Sequence, residues 1–179
     1  FKGKKLFLPS DKKTRPLKDL LKESIFNLIL HSNKIDINIE ESAVLDLFAG
    51  SGSFGIECIS RGSKNVVFFE NYIEAINILK KNLNSIKDNK GYKIFEDNCF
   101  NFFNSNQELN HKFDLIFLDP PYKEARINEI MEQISKKNLL NNNGFIIIHR
   151  HKKDTVNISK KFEVFEKRTY GISNVFFCR

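Results

Sequence analysis

Short apolar runs alternate regularly with helical patterns from Val44 onward, and this alternation constrains the fold more than any other feature of the sequence. Five runs have the length and composition of buried strands: Val44–Phe48, Asn65–Glu70, Tyr92–Phe95, Phe113–Leu118 and Phe145–His149. Between them, the residues over 53–61 and 72–86 are predicted to form helices. Strands that alternate with helices predict a mostly parallel sheet with helices on both faces.

The two ends of the chain follow other patterns. Phe162–Tyr170 and Ser173–Cys178, joined around Gly171, predict a closing pair of strands with no helix between them. Leu17–Leu30 predicts an amphipathic helix before the sheet, and the Asn-rich stretch Asn141–Asn143 predicts a turn. The apolar positions of this first helix are Leu17, Leu20, Leu21, Ile25, Leu28 and Ile29, and those of the helix over 72–86 are Tyr72, Ile76, Leu79, Leu83 and Ile86.

Positive charge is concentrated at the two ends of the 179-residue chain. The net charge of +7 is the sum of +6 over residues 1–18, +5 over 150–179 and −4 over 19–149. Basic ends on a mildly acidic body favour binding of a nucleic acid, although a general basic drift in a Lys- and Asn-rich composition is the alternative. We therefore predict a basic arm or hairpin over residues 1–16 and a main domain over 17–179. The candidate nucleic-acid contacts in the arm are Lys2, Lys4, Lys5, Lys12, Lys13 and Arg15.

A glycine-rich loop closes the first predicted strand and opens the first helix after it. Gly50, Gly52 and Gly55 satisfy the G-x-G-x-x-G pattern, and Glu70 ends the next strand. Glycines at these places let the backbone turn sharply and approach a ligand, and a carboxylate after the second strand can accept both ribose hydroxyls of an adenosine. By itself this pattern fits NAD, FAD and S-adenosylmethionine.

Two observations favour S-adenosylmethionine. Asp46 lies four residues before the first glycine, where a carboxylate would repel a pyrophosphate and attract a sulfonium or ammonium group. The chain also has no room for a separate substrate domain of the kind that most dehydrogenases carry. Asp97 and Asn98, after the third strand, are placed to read the adenine edge or to cap the next helix. The candidate cofactor-binding residues are Asp46, Phe48, Ala49, Gly50, Ser51, Gly52, Glu70, Asn71, Asp97 and Asn98.

Asp119-Pro120-Pro121-Tyr122 follows the fourth predicted strand, at the sheet edge where open α/β folds bind ligands. The exocyclic amine of a base is a poor nucleophile, because its lone pair is delocalised into the ring. The Asp119 carboxylate and the Pro120 carbonyl can accept its two N–H groups and free that lone pair. Pro120 and Pro121 have no N–H to compete for the amine, and Tyr122 can stack on the base. These four residues are the candidate catalytic residues.

Other features exclude some classes of protein. The sequence has no apolar run of the roughly 20 residues that a membrane helix needs and no signal-like segment, so we expect a cytoplasmic protein. Cys58, Cys99 and Cys178 share no metal-like spacing and are expected to be reduced thiols, and no metal site is predicted. We also expect a monomer.

With these motifs in place, the chain resembles the bacterial RsmD family, methyltransferases that place a methyl group on the N2 amine of a guanine in 16S ribosomal RNA. The resemblance implies a Rossmann-like class I S-adenosylmethionine-dependent methyltransferase domain and a substrate within the small ribosomal subunit. It runs over nearly the whole chain. The similar stretches are the basic opening Phe1–Leu6, Arg15-Pro16 followed by Asp19, Glu23, Phe26 and Asn27, the glycine-rich segment Asp46–Gly62, and Asp119–Tyr122.

Some positions depart from the family pattern. Leu17 stands where the family commonly has Thr, Leu20 where it often has Arg, and Ile146–Arg150 replaces a strand that usually ends in Glu. Three other functions are weighed against the resemblance. An adenine-N6 methyltransferase shares the Asp/Asn-Pro-Pro-Tyr pattern but gives no reason for the N-terminal segment. A catalytically silent RNA-binding ribosome-assembly protein is disfavoured by the intact acidic residues, and a nicotinamide oxidoreductase is more distant still.

Overall fold

The computed structural model describes residues 6–8, 17, 19–86, 91–105 and 107–179. The described helices are α1 (Asp19–His31), α2 (Ser53–Ser60), α3 (Ile73–Asn84), α4 (Cys99–Asn104) and α5 (Ile127–Lys136). The strands are β1 (Ala43–Leu47), β2 (Asn65–Phe69), β3 (Tyr92–Phe95), β4 (Phe113–Leu118), β5 (Leu140–His151), β6 (Val164–Tyr170) and β7 (Ser173–Cys178). No helix in the described ranges is long and apolar enough to cross a membrane.

The seven strands form one sheet in the order β3-β2-β1-β4-β5-β7-β6. The first five run parallel, and β7 pairs antiparallel with both β5 and β6. The chain reverses direction around Gly171 between the last two strands, as predicted. The strand order changes direction between β1 and β4, and open α/β sheets bind ligands at such a switch point, outside the carboxyl ends of the strands.

Helices cover both faces of the sheet because successive strand residues point to opposite sides. On one face, α1, α2 and α3 pack over side chains such as Val44, Phe117 and Ile147. On the other face, α4 and α5 pack over Leu45, Ile116 and their neighbours. The α/β architecture with a mostly parallel sheet and an antiparallel closing strand is therefore confirmed.

All seven predicted strands are present, but the helix prediction was incomplete. Helix α4 was predicted only as the helix that Asp97 and Asn98 could cap, without bounds. Helix α5 was not predicted, although its buried positions Ile127, Ile130, Met131 and Ile134 have clear helical spacing. The prediction of a turn at Asn141–Asn143 was wrong. These residues lie in β5, whose pairing with β4 has a register shift between Phe113 and Leu115.

The first helix also differs in detail from its prediction. Leu17 is buried but precedes α1, and Leu20 is 77% exposed although it was expected on the apolar face. Phe26 is fully buried in its place and stacks on Phe54 of α2 with ring centroids 5.1 Å apart. The helix therefore packs on the sheet through a face centred on Leu21, Ile25 and Phe26 rather than on Leu20.

Candidate active site

The sheet register brings the predicted site residues to one level. Leu47 pairs with both Phe69 and Leu118, and Leu118 pairs with Ile148. The residues that follow these four are Phe48, Glu70, Asp119 and His149. The first three leave the sheet side by side at its carboxyl edge, and His149 lies beside them where β5 continues. Segments that are far apart in the sequence therefore form one site.

The glycine loop turns sharply between β1 and α2. Phe48 has a φ of 64°, which is uncommon for a residue with a side chain, and Gly50 has a φ of 56°. A Cβ atom at Gly50 would meet no other atom within 4 Å, so the space beside this residue is open. A Cβ atom at Gly52, where φ is 80°, would clash with Leu79 of α3. One glycine thus leaves room for a ligand, and the next lets the loop pack against the fold.

The Glu70 carboxylate ties this loop to the end of β2. Its Oε2 accepts a hydrogen bond from the Gly50 N–H at 2.6 Å, and its Oε1 accepts from the N–H groups of Asn71 and Tyr72, both at 2.9 Å. A carboxylate has about four acceptor positions, so one remains on Oε2 after these three bonds. The structure thus gives Glu70 a part in shaping the loop that the sequence did not indicate.

Asp46 lies under the loop and is almost fully buried. Its Oδ2 accepts a hydrogen bond from the Gly55 N–H, in the first turn of α2, at 2.9 Å. Burial is the main cause that raises the pKa of Asp46 to about 8; the Gly55 hydrogen bond opposes this shift, and the negative charges of Asp119 and Glu70 add to it. Three carboxyl groups therefore converge at this edge, and the charges of Asp119 and Glu70 favour the protonated form of Asp46.

Asp97 and Asn98 connect β3 to α4. The Asn98 side chain caps α4 by accepting a hydrogen bond from the Phe100 N–H at 2.9 Å, which is one of the two roles considered for this pair. Asp97 is exposed, and its Oδ1 accepts from the Asn98 N–H at 2.7 Å. The other oxygen, Asp97 Oδ2, has no hydrogen-bond partner among the residues that the structure describes, so it is available to a ligand.

On the other side of the switch point, Asp119 is held by β5 and β7. His149 Nδ1 lies 2.8 Å from Asp119 Oδ1, and His149 Nε2 lies 2.9 Å from the Ser173 hydroxyl. The His149 side chain is 6% exposed and that of Asp119 is 22% exposed. The imidazole is therefore enclosed, while the carboxylate reaches the surface of the site.

Arg150 holds the backbone of the same loop. Its side chain is 5% exposed, and its guanidinium donates to the carbonyls of Pro121 at 3.1 Å and Tyr122 at 2.9 Å. It also pairs with Asp154 at 3.1 Å. Tyr122 itself is 42% exposed, and its ring packs edge-to-face on His151 with centroids 5.4 Å apart. The strand end that departs from the family pattern is thus the part of the fold that supports Asp119–Tyr122.

Sequence reasoning did not assign a role to four residues near this edge: Asn82, His149, Arg150 and Ser173. Asn82 of α3 is fully buried, and its side chain bonds both the N–H and the carbonyl of Phe7 as well as the Ser51 carbonyl of the glycine loop. A polar residue beside the apolar stripe of α3 was the available signal. Asn82 thus fastens the described part of the N-terminal segment to the loop.

The remaining predictions fall outside this edge. The candidate nucleic-acid contacts Lys2, Lys4, Lys5, Lys12, Lys13 and Arg15 lie outside the described residues. Cys58, Cys99 and Cys178 are buried free thiols. Within the described part of the chain, no group of three or more His, Cys, Asp or Glu residues is arranged to hold a metal ion.

Comparisons with known proteins identify the family and the fold of this chain. A family model described as conserved hypothetical protein 95 matches residues 1–179. The chain is 32% identical to YlbH of Bacillus subtilis over 175 residues, which cover 97% of this chain and 92% of that protein. It is 31% identical to ribosomal RNA small subunit methyltransferase D of Haemophilus influenzae over 173 residues, covering 96% and 86%. The solved structure of YhhF from Escherichia coli matches with a TM-score of 0.81 at 21% identity, covering 98% of this chain and 91% of that one.

The strand order, the antiparallel β7 and the similarity to solved methyltransferase structures such as YhhF define a Rossmann-like class I methyltransferase fold. The family match extends over the full sequence, and two relatives above 30% identity cover almost all of it. The chain belongs to the RsmD family.

Proposed function

We propose that this protein transfers a methyl group from S-adenosylmethionine to the exocyclic N2 amine of a guanine in 16S ribosomal RNA of the small ribosomal subunit. The observation that carries the proposal is the position of Asp119 beside the glycine loop, with one carboxylate oxygen held by His149. Membership of the RsmD family supports an RNA substrate, as does the name of the Haemophilus influenzae relative.

The residues around the glycine loop fit S-adenosylmethionine. Beside Gly50 the space is open, and Glu70 retains an acceptor position there for a ribose hydroxyl. A cation placed near Asp46 would be attracted by the ionised form of this buried carboxyl. When bound, S-adenosylmethionine supplies a methyl group on a sulfonium whose sulfur keeps the electron pair of the broken C–S bond. The other proposed contacts are Phe48, Ala49, Ser51 and Gly52 in the loop, Asn71, and Asp97 with Asn98 at the adenine edge.

The Asp-Pro-Pro-Tyr loop supplies the acceptor chemistry. Asp119 and the Pro120 carbonyl accept hydrogen bonds from the two N–H groups of the guanine amine. These two bonds direct the nitrogen lone pair towards the methyl group. As the N–C bond forms, the nitrogen becomes positively charged and loses one proton, which Asp119 accepts and releases to water. Arg150 binds the carbonyls of Pro121 and Tyr122 rather than that of Pro120. The exposed ring of Tyr122 stacks on the base.

The basic arm over residues 1–16 and the methyltransferase domain over 17–179 divide the work in this proposal. The six arm residues Lys2, Lys4, Lys5, Lys12, Lys13 and Arg15 bind rRNA phosphates while the target guanine leaves its stack and enters the site. An rRNA substrate places the activity in the cytoplasm. We also propose that the protein acts as a monomer.

The proposal is tested by methyl transfer to two forms of the RNA. The protein is incubated with labelled S-adenosylmethionine and either undermethylated small subunits or free 16S rRNA, and the modified nucleotide is mapped by mass spectrometry. We expect N2-methylguanosine at one position. Methylation of an adenine would contradict the base assignment, and no transfer to either form would contradict the rRNA assignment.

A further inference from the structure

We propose that His149 is a positioning residue for methyl transfer: its Nδ1–H holds Asp119 Oδ1, Ser173 fixes the imidazole in the tautomer this requires, and Asp119 Oδ2 is thereby directed to the amine. The inference rests on the proposed function for its reaction, and on the contacts of β4, β5 and β7 for its geometry.

The hydrogen-bond pattern defines the tautomer. An ionised carboxylate only accepts hydrogen bonds, so the 2.8 Å contact with Asp119 Oδ1 requires the proton on His149 Nδ1. In a neutral imidazole, Nε2 is then an acceptor, and the Ser173 hydroxyl at 2.9 Å donates to it. Each nitrogen of the imidazole therefore has one partner: Nδ1 has Asp119, which follows β4, and Nε2 has Ser173, which begins β7.

Burial makes this arrangement specific. The His149 ring is 6% exposed, so water cannot replace either hydrogen bond without a cavity or a shift of the strands. His149 and Ser173 are held in register, because β5 pairs with β7 through His149↔Val175 and His151↔Ser173. The ring therefore cannot rotate freely, and neither can the carboxylate that it holds.

A fixed carboxylate matters for this reaction. Methyl transfer needs the amine lone pair aligned with the methyl group, and a free carboxylate can rotate about its Cβ–Cγ bond away from that geometry. With Oδ1 bound to His149, rotation is restricted and Oδ2 faces the amine, which lowers the cost of reaching the transition state. Among the described residues, the hydrogen bonds of the His149 ring go to Asp119 and Ser173. We therefore expect its effect to fall on kcat rather than on KM or cofactor affinity.

Three variants and a matched control test the inference in the full-length protein. His149→Leu removes both hydrogen bonds, and we expect kcat to fall about ten- to hundredfold, as for a lost hydrogen bond to a charged group. His149→Asn retains a donor near the position of Nδ1 and should stay within about fivefold of wild type. Ser173→Ala keeps the imidazole but removes its orienting partner, so a smaller fall in kcat is expected. His111→Asn is the control. His111 lies just before β4, contacts Asn65 and is far from the site, so the same change there should leave kcat unchanged.

The assay is methyl transfer to undermethylated small subunits, with KM for RNA and the dissociation constant of S-adenosylmethionine measured for each variant. A kcat for His149→Leu within twofold of wild type, or equal losses for His149→Leu and His149→Asn, would overturn the inference. If His149→Leu does not fold, the other two variants test the inference. A fall in kcat for Ser173→Ala and a kcat within about fivefold of wild type for His149→Asn would support it, and an unchanged kcat for Ser173→Ala would overturn it.

A second measurement does not depend on activity. The ¹⁵N chemical shifts of the His149 ring report which nitrogen carries the proton, and we expect the Nδ1–H tautomer in the wild type and a loss of that preference in Ser173→Ala. A proton on Nε2 alone would overturn the inference. A wild-type protein that transfers no methyl group but shows the Nδ1–H tautomer would overturn the proposed function and leave the His149–Asp119 arrangement standing.

Discussion

The two halves of the carboxyl edge hold their carboxylates in different ways. Beside β1 and β2, backbone N–H groups hold Asp46 and Glu70, and all of them come from the glycine loop or from the residues next to the carboxylate. Beside β4, two side chains of the neighbouring strand β5, His149 and Arg150, hold Asp119 and its loop. A carboxylate held by backbone groups depends on the path of the chain, whereas one held by side chains depends on single residues that substitution can change.

This difference predicts that substitutions in the two halves change different quantities. The half at β1 and β2 should govern cofactor affinity, and the half at β4 and β5 should govern the rate of transfer.

The largest expected effect is that of Asp119→Ala. We expect methyl transfer to fall by about two orders of magnitude or more, because the carboxylate meets the reacting amine, and cofactor affinity to stay within a few-fold of wild type. Turnover is measured with saturating substrates, and binding is measured by calorimetry. Asp36→Ala removes an exposed carboxylate near the start of β5 and serves as the control. Near-normal turnover of Asp119→Ala would remove this residue from the mechanism.

Glu70→Ala should have the converse effect. We expect the binding of S-adenosylmethionine to weaken by about 1.5–3 kcal/mol, the usual value of hydrogen bonds to a charged group, with little change in kcat at saturating cofactor. Calorimetry gives the affinity.

Because Glu70 also binds the Gly50 N–H, a loss of affinity can arise from the loop alone. S-adenosylhomocysteine and its 2′-deoxyribose analogue separate the two causes. The wild type should prefer the ribose form, and Glu70→Ala should bind the two about equally. Unchanged affinity in the variant would mean that Glu70 does not touch the ribose.

The arm tests whether RNA binding is separate from both halves. Neutralising Lys4, Lys5, Lys12 and Lys13 should raise the apparent KM for RNA about tenfold at physiological salt and reduce the salt dependence by about 0.7–0.9 in slope per lost phosphate contact. Melting temperature and cofactor affinity should barely change, because charged residues with little apolar surface contribute little to folding.

A charge-matched control distinguishes a specific arm from a general effect of net charge. Lys64, Lys112, Lys136 and Lys137 precede strands at the opposite edge of the sheet, and their replacement by Gln removes the same four charges. If the arm variant keeps its RNA affinity and salt slope, the RNA site lies instead around the exposed Lys152 and Lys153, which follow the buried Arg150.

The same difference explains what the sequence predicted and what it did not. The glycine loop, Glu70 and Asp119–Tyr122 are contiguous motifs at strand ends, so a pattern along the chain was enough to place them. The contact of His149 with Ser173 depends on how β5 and β7 pair, which no local pattern specifies. Asn82 was hidden for the same reason, because its partners lie 75 and 31 residues away in the sequence.

The missed secondary structure has local causes. Helix α4 has only six residues, too few for an apolar stripe to repeat, and four of them are buried. The stripe of α5 was present in the sequence and was not used. The Asn-rich stretch predicts a turn at Asn141, because Asn has a low strand propensity. The Asn141 side chain instead donates to Asp114 Oδ1 of β4 at 2.6 Å, and this tertiary contact outweighs the propensity.

Asp46 gives the smallest expected effect on activity and tests the meeting point of the two halves, since both Asp119 and Glu70 raise its pKa. In the folded protein this pKa is about 8, whereas an unfolded Asp titrates near about 3.9. The folded state therefore holds a proton that the unfolded chain has lost between these values. Stability contributed by Asp46 is complete below about pH 4 and is lost as the pH rises through about 8.

The isosteric variant Asp46→Asn keeps an acceptor for the Gly55 N–H and removes the titration. Without cofactor, it should melt several degrees above the wild type at about pH 9, with a smaller difference at lower pH. S-adenosylmethionine should bind a few-fold more weakly, because an amide lacks the charge that attracts a cation. Thermal melts over a pH series and calorimetry measure both quantities. If the variant and the wild type show the same pH dependence, folding does not raise the pKa of Asp46, and the ionisation of this carboxyl does not control the stability of the protein.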